Sequence, residues 1–295
     1  MTLLAPFVLA LALGQSDPYV RSRVDAGDTR TQCLFWTSSR VVWNQSTFGN
    51  PDTQGDTEFD AIRAAFQSWQ DIFAQCGNLT LEEGPRVNER QVGYRRQGNN
   101  TNLVLFRTRD CNEVVPASEA CWDEDTCANA FDCWDDDDNT IAITLTTYDE
   151  RSGIIYDSDI SFNAARFSFT TANGQTCFPP VSTNCVATDV QNTATHEVGH
   201  LIGLDHTRAP GSTMNPSAPP GEVSKRIVDS GSRDFVCDAY PKGQASQACL
   251  HPVTGIELGP KAGGCAAAGP GGALSLVGVW ALWLMRRARR EEASR

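Results

Sequence analysis

Histidine is scarce in this 295-residue chain: there are four, and none precedes residue 196. Eleven cysteines are present, yet no two stand as a Cys-x-x-Cys pair, which argues against a cysteine-ligated metal or redox centre. Basic surplus is missing too. The formal charge is −12, and the last ten residues alone contribute +3, which leaves −15 for the rest. So acidic a body excludes nucleic acid and anionic lipid as main partners. No apolar run is long enough for an ordinary bilayer crossing: Leu3 to Leu13 is too short, and Ala273 to Met285 falls short as well. The acidic run Asp135-Asp136-Asp137-Asp138 lacks EF-hand spacing. It reads as a solvated face, with a Ca²⁺ site as the alternative.

What is there fits an exported protein. The length allows one or two domains with a real core. Residues 1–14 read as a signal peptide cleaved near Gly14, although a charged n-region is missing apart from the amino terminus. A short polar segment, 15–32, precedes Cys33. Ten cysteines come before the C-terminal tail, an even number that fits five disulfides in an oxidising compartment. Proximity suggests Cys177–Cys185, Cys237–Cys249, Cys33–Cys76, and pairing among Cys111, Cys121, Cys127 and Cys133, although sequence alone does not fix connectivity.

Between these ends the pattern mixes strands and helices. Cys33 to Ser46 gives one or two strands broken at Thr37-Ser38-Ser39. Phe59, Ile62, Ala65, Phe66, Trp69 and Phe73 recur at helical steps, with Asp56 or Thr57 as cap and Gly77-Asn78 as the stop. Strands follow at Leu103–Phe106 and at Thr140–Thr147, where Ile141, Ile143 and Leu145 share one face. A strand pair follows between Gly153 and Phe169. Residues 111 to 139 read as a loop stapled by its four cysteines. A further helix is expected from about Val223 to Tyr240. Residues 251–264, within a Gly-, Ala- and Pro-rich stretch, form a linker in which His251 is expected to be exposed and idle.

The chemistry concentrates in His196-Glu197-Val198-Gly199-His200-Leu201-Ile202-Gly203-Leu204-Asp205-His206. On a helix from Asp189 to Leu204, capped by Thr188 or Asp189, His196 and His200 project from one face. Two imidazoles there make half of a tetrahedral zinc site. Glu197 sits beside the first ligand, where a carboxylate can take a proton from water. Gly203 lets the backbone leave the helix in a conformation closed to bulkier residues, bringing His206 back as a third ligand. Three protein ligands leave a fourth position open, which marks a catalytic ion. A helix that merely carries histidines is the bland alternative, but three of the four histidines fall in this frame.

This stretch, with Ser212-Thr213-Met214-Asn215-Pro216, resembles the HExxHxxGxxH and Met-turn of the metzincins. The eight-residue step from His206 to Met214 and the Thr207 after the third His resemble the matrixin branch. The resemblance implies an α+β zincin/metzincin fold over residues 33–250. Its N-terminal part would hold a twisted mixed sheet of about five strands and two helices, with a cleft beside them and a small C-terminal part with one helix. It implies one catalytic Zn²⁺ and Met214 as the floor of the site. It also implies Asn215, Pro216, Ser217, Ala218 and Pro219 as the wall of the pocket for the side chain beyond the scissile bond, with an apolar lining. The run Asp157-Ser158-Asp159-Ile160 resembles a matrixin segment that precedes the substrate-pairing edge strand. Two family features are missing: a Pro-Arg-Cys-Gly propeptide, and the three histidines of a second, structural zinc. Residues 265–295 resemble a MYXO-CTERM sorting tail, in which a Gly-Cys pair precedes an apolar helix and an Arg cluster. A plain single-pass anchor is the alternative there. The expectation is an exported zinc metalloendopeptidase acting on protein or peptide as a monomer, meeting the membrane only through its tail. It would stand at the cell surface or be released. The competing expectation is a surface-anchored adhesion module with a vestigial zinc site.

Overall fold

The computed structural model describes residues 17–98, 100–178, 181–182 and 184–251, and the backbone of 260–268. Residues 1–14, read above as a signal peptide, and most of 251–295, read as a linker and sorting tail, lie outside the described residues. In chain order the elements are β1 (Val20–Arg21), β2 (Arg40–Gln45), α1 (Thr57–Cys76), β3 (Thr80–Glu83) and β4 (Asn102–Arg107). Three short helices follow, α2 (Cys111–Val114), α3 (Cys121–Glu124) and α4 (Cys127–Phe131), then β5 (Thr140–Asp149) and β6 (Ile155–Asn163). Next come β7 (Phe169–Thr170), β8 (Thr188–Asp189), α5 (Val190–Leu201), β9 (Leu204–Asp205), a 3₁₀ turn at Ser224–Arg226, α6 (Ser230–Ala239) and β10 (Pro260–Ala268).

The main sheet has the order β10-β5-β6-β4-β2-β3. Strands β2, β3, β4 and β6 run parallel, and β5 and β10 are each antiparallel to their neighbours. Parallel neighbours need a crossover, and α1 supplies the one between β2 and β3. Five strands match the expectation; β10 is a sixth that the sequence pattern did not suggest. The run Asp157–Ile160 lies inside β6, an inner strand. The edges of the five are β5 and β3, and both precede that run rather than following it.

Helix α1 forms because Phe59, Ile62, Phe66, Trp69 and Phe73 make one apolar stripe, and all are buried. It stops at Gly77, whose N–H bonds Phe73 O. Trp43 of β2 stacks on Phe66 with centroids 3.7 Å apart, and Trp69 Nε1 donates to Thr195 O of α5 at 2.9 Å. The core therefore lies where α1 and α5 meet the sheet. The helix expected from Val223 to Tyr240 is broken at Ile227–Asp229. Asp229 Oδ1 accepts from Gly231 N and Ser232 N and starts α6 afresh. The stretch 111–139 is not an irregular loop either: α2, α3 and α4 pack around Cys111, Val115, Cys121, Cys127 and Cys133 as a small second cluster.

Among the described residues five disulfides close the fold: Cys33–Cys249, Cys76–Cys237, Cys111–Cys133, Cys121–Cys127 and Cys177–Cys185. Cys177–Cys185 and the pairing within the 111–133 group agree with proximity. Cys33–Cys76 and Cys237–Cys249 do not occur. The end of α1 instead meets α6, and the chain after α6 returns to the start of the domain at Cys33. Among the described residues no helix is long and apolar enough to cross a membrane.

Candidate metal centre

Helix α5 begins where Asp189 Oδ1 accepts from Asn192 N at 2.7 Å, and the Arg226 guanidinium pairs with the same carboxylate. One turn apart, His196 and His200 face the same side. Gly203 then adopts φ +98°, and a Cβ there would strike Leu34 O. That turn sends β9 against β1 and delivers His206 to the other two rings. Trp36 Nε1 donates to Leu201 O at 2.8 Å and the Tyr240 hydroxyl to Ile202 O at 2.6 Å, fixing the helix end.

The three Nε2 atoms lie 3.1 Å from one another. His196 Nδ1 is 2.7 Å from Thr213 O and His200 Nδ1 is 2.8 Å from Leu204 O. A carbonyl can only accept, so both Nδ1 atoms carry the proton and both Nε2 atoms present bare lone pairs. At most one proton, on His206, could be shared among three such nitrogens. A cation suits the set better, and a point about 2 Å from all three nitrogens exists, the usual zinc–imidazole distance. Burial holds the rings neutral: His196 lies well below the usual range, His200 is pushed down to about 4 and His206 to about 3. Among the described residues this is the one group of three or more metal-ligating side chains. The aspartates of 135–138 form no such group: Asp135 accepts from Ala128 N, and Asp138 pairs with Arg166.

Glu197 is fully buried. Its Oε2 accepts from Thr144 Oγ1 of β5 at 2.7 Å, while Oε1 has no partner among the described residues. Burial pushes this carboxyl up to about 8, with the Thr144 bond and the Lys225 charge pulling it down. A cation among the imidazoles would pull it down further. Met214 lies under the helix with its sulfur against Gly199, where a Cβ would collide with it. That contact explains a glycine between the two helical histidines.

Of the five wall residues, Ala218 lines a pocket beside His196, together with Ile141, Asn192, Thr193 and Lys225. Asn215 and Ser217 turn their carbonyls to Lys225 Nζ, both at 2.8 Å. Pro216 and Pro219 do not line the pocket. His251 is exposed and is not part of the triad. Thr144, Asn192 and Lys225 also belong to the site, and no motif marks them in the sequence. Thr144 belongs to the small-residue face of β5, opposite Ile143 and Leu145, and that face packs on α5. The smallness of Ala142, Thr144 and Thr146 was the available signal.

Lone-pair donors converging on one point beside a buried acid form a set that can hold a metal ion. Residues 35–230, more than half the chain, match the matrixin family, peptidase family M10. The chain belongs to that family, whose members are zinc-dependent peptidases. No curated protein matches the chain.

Proposed function

We propose that this protein is an exported zinc endopeptidase, with residues 33–250 as its catalytic domain. His196, His200 and His206 would hold the zinc through Nε2, the carbonyls of Thr213 and Leu204 orienting two of the rings. Bound there, zinc supplies Lewis-acid polarisation of the scissile carbonyl and makes water acidic enough to be deprotonated near neutral pH. Glu197 takes that proton on Oε1 and passes it to the leaving amine. Thr144 holds the other carboxylate oxygen and so aims the free one. The five disulfides support an oxidising, exported setting. The signal segment and the tail from Cys265 would carry export and sorting.

The observation that carries this reading is Glu197 Oε1, a buried carboxylate oxygen with no hydrogen-bond partner among the described residues, in the same motif as three convergent imidazoles. A structural metal would not need it. The test is hydrolysis of casein or gelatin with and without chelator, alongside metal analysis. Zinc removal should abolish turnover. Glu197→Ala should retain the zinc and lose about 10²- to 10⁴-fold in rate. Full proteolysis by Glu197→Ala would refute the role given to the acid.

A further inference from the structure

The pocket is lined mainly by apolar atoms, as the resemblance to matrixins implies, but a lysine is among its lining residues. Lys225 lines the cavity beside His196, and its side chain is only 4 % exposed. The lysine is anchored at both ends. Its backbone N–H donates to Asn192 Oδ1 at 2.8 Å, fixing it to the first turn of α5. Its Nζ donates to Asn215 O and Ser217 O of the wall, and Glu222 Oε2 stands 3.6 Å away. All three ammonium donors therefore face an acceptor or a counter-charge. The pocket is partly open, and the room left in it is about 10 Å³, about that of one water.

A flexible apolar floor could move aside for a bulky guest. This one cannot do so cheaply, because displacing the ammonium strips hydrogen bonds from a buried charge and from two wall carbonyls. We propose that Lys225 sets the depth of this pocket and restricts the protein to substrates with a small side chain, such as glycine, alanine or serine, at a residue flanking the scissile bond. This assignment rests on the peptidase reading. Lys225 acts as a positioning residue for the wall and as a limit on size. No proton transfer is assigned to it.

The test uses the full, zinc-loaded chain on peptide libraries varied on both sides of the cleaved bond. At one flanking position the wild type should favour small residues over leucine or phenylalanine by about tenfold or more in kcat/KM. Lys225→Ala should narrow that ratio by about tenfold, mainly through KM for the larger residues. Lys225→Met keeps the stem and loses the wall bonds. It serves as the second variant should the alanine protein fold poorly, and it should relax the preference in the same direction. A binding arm separates this idea from catalysis: Glu197→Gln protein should bind labelled peptides in the same size order, read by fluorescence anisotropy. Wild-type preference for leucine or phenylalanine at both flanking positions would overturn the proposal. So would an unchanged preference in folded, zinc-loaded variants. Absence of all cleavage with the binding order intact would sink the peptidase reading and leave the pocket assignment standing.

Discussion

Thr144 shows how much a single hydroxyl can govern at the residue scale. Its Oγ1 is the hydrogen-bond donor to Glu197 Oε2, and that bond lowers the pKa of a carboxyl that burial raises. Thr144→Val keeps the shape and removes the donor, leaving both carboxylate oxygens buried without one. The expected result is an unchanged zinc content and a kcat lower by about ten- to a hundredfold, from about 1–3 kcal/mol of lost stabilisation. The acid limb of the pH–rate profile should also move to higher pH, because the base becomes harder to ionise. A shift to lower pH would contradict the sign. The imidazoles give a second test. His200 and His206 titrate near 4 and 3 in the fold but near 6.5 in an unfolded chain. Above about pH 6.5 neither state takes their protons; below it the unfolded chain takes protons that the fold refuses. The melting temperature of zinc-stripped protein should therefore fall as pH drops from 7 towards 4, and His206→Asn should flatten part of that slope. The three histidines and Glu197 were legible in sequence because their spacing is a property of one helix and one turn. Thr144 and Lys225 were not, since their roles arise only where a strand and a distant loop meet that helix.

At the scale of elements, α1 could be read from its apolar stripe, and Asp189 from its place before α5. The region from Val223 to Tyr240 misled because Ile227 and Val228 extend a helical pattern across a break. The Asp229 cap outweighs that pattern, and Ile227 is left exposed. Disulfide partners were the least legible feature. Parity counts bridges, but only the packing of α1 on α6 brings Cys76 to Cys237, across a separation of 161 residues. Closing a long loop restricts the unfolded chain more than closing a short one. Replacing Cys76 and Cys237 together by serine should lower unfolding free energy by about 2–5 kcal/mol. Replacing Cys121 and Cys127, separated by six residues, should lower it by less. Urea unfolding of the two paired variants checks the order, and the reverse order would show that native packing, rather than chain entropy, decides these bridges.

For the whole molecule, the decisive feature is who occupies the edge of the sheet. A bare β5 would present unpaired N–H and C=O groups along the flank that carries Thr144, beside the metal centre. In this fold β10 takes that edge, pairing from Pro260 opposite Asp149 to Ala268 opposite Thr140, with Cys265 opposite Thr144. The residue pattern does not announce this strand, because a Gly- and Ala-rich stretch reads as a linker and its strand character comes only from a waiting partner. An extended peptide that adds to β5 must displace β10, since one edge accepts one strand. Gly263→Pro with Gly264→Pro, made in the full chain, removes a ladder donor whichever of the two faces β5. That variant should cleave long peptides with a severalfold higher kcat/KM and leave short, blocked dipeptide substrates unaffected, because these do not reach along the strand. A synthetic peptide of residues 260–268 added to the variant should restore the lower rate on long peptides. Equal rates for wild type and variant on both substrate lengths would mean that substrates reach the zinc without the β5 edge.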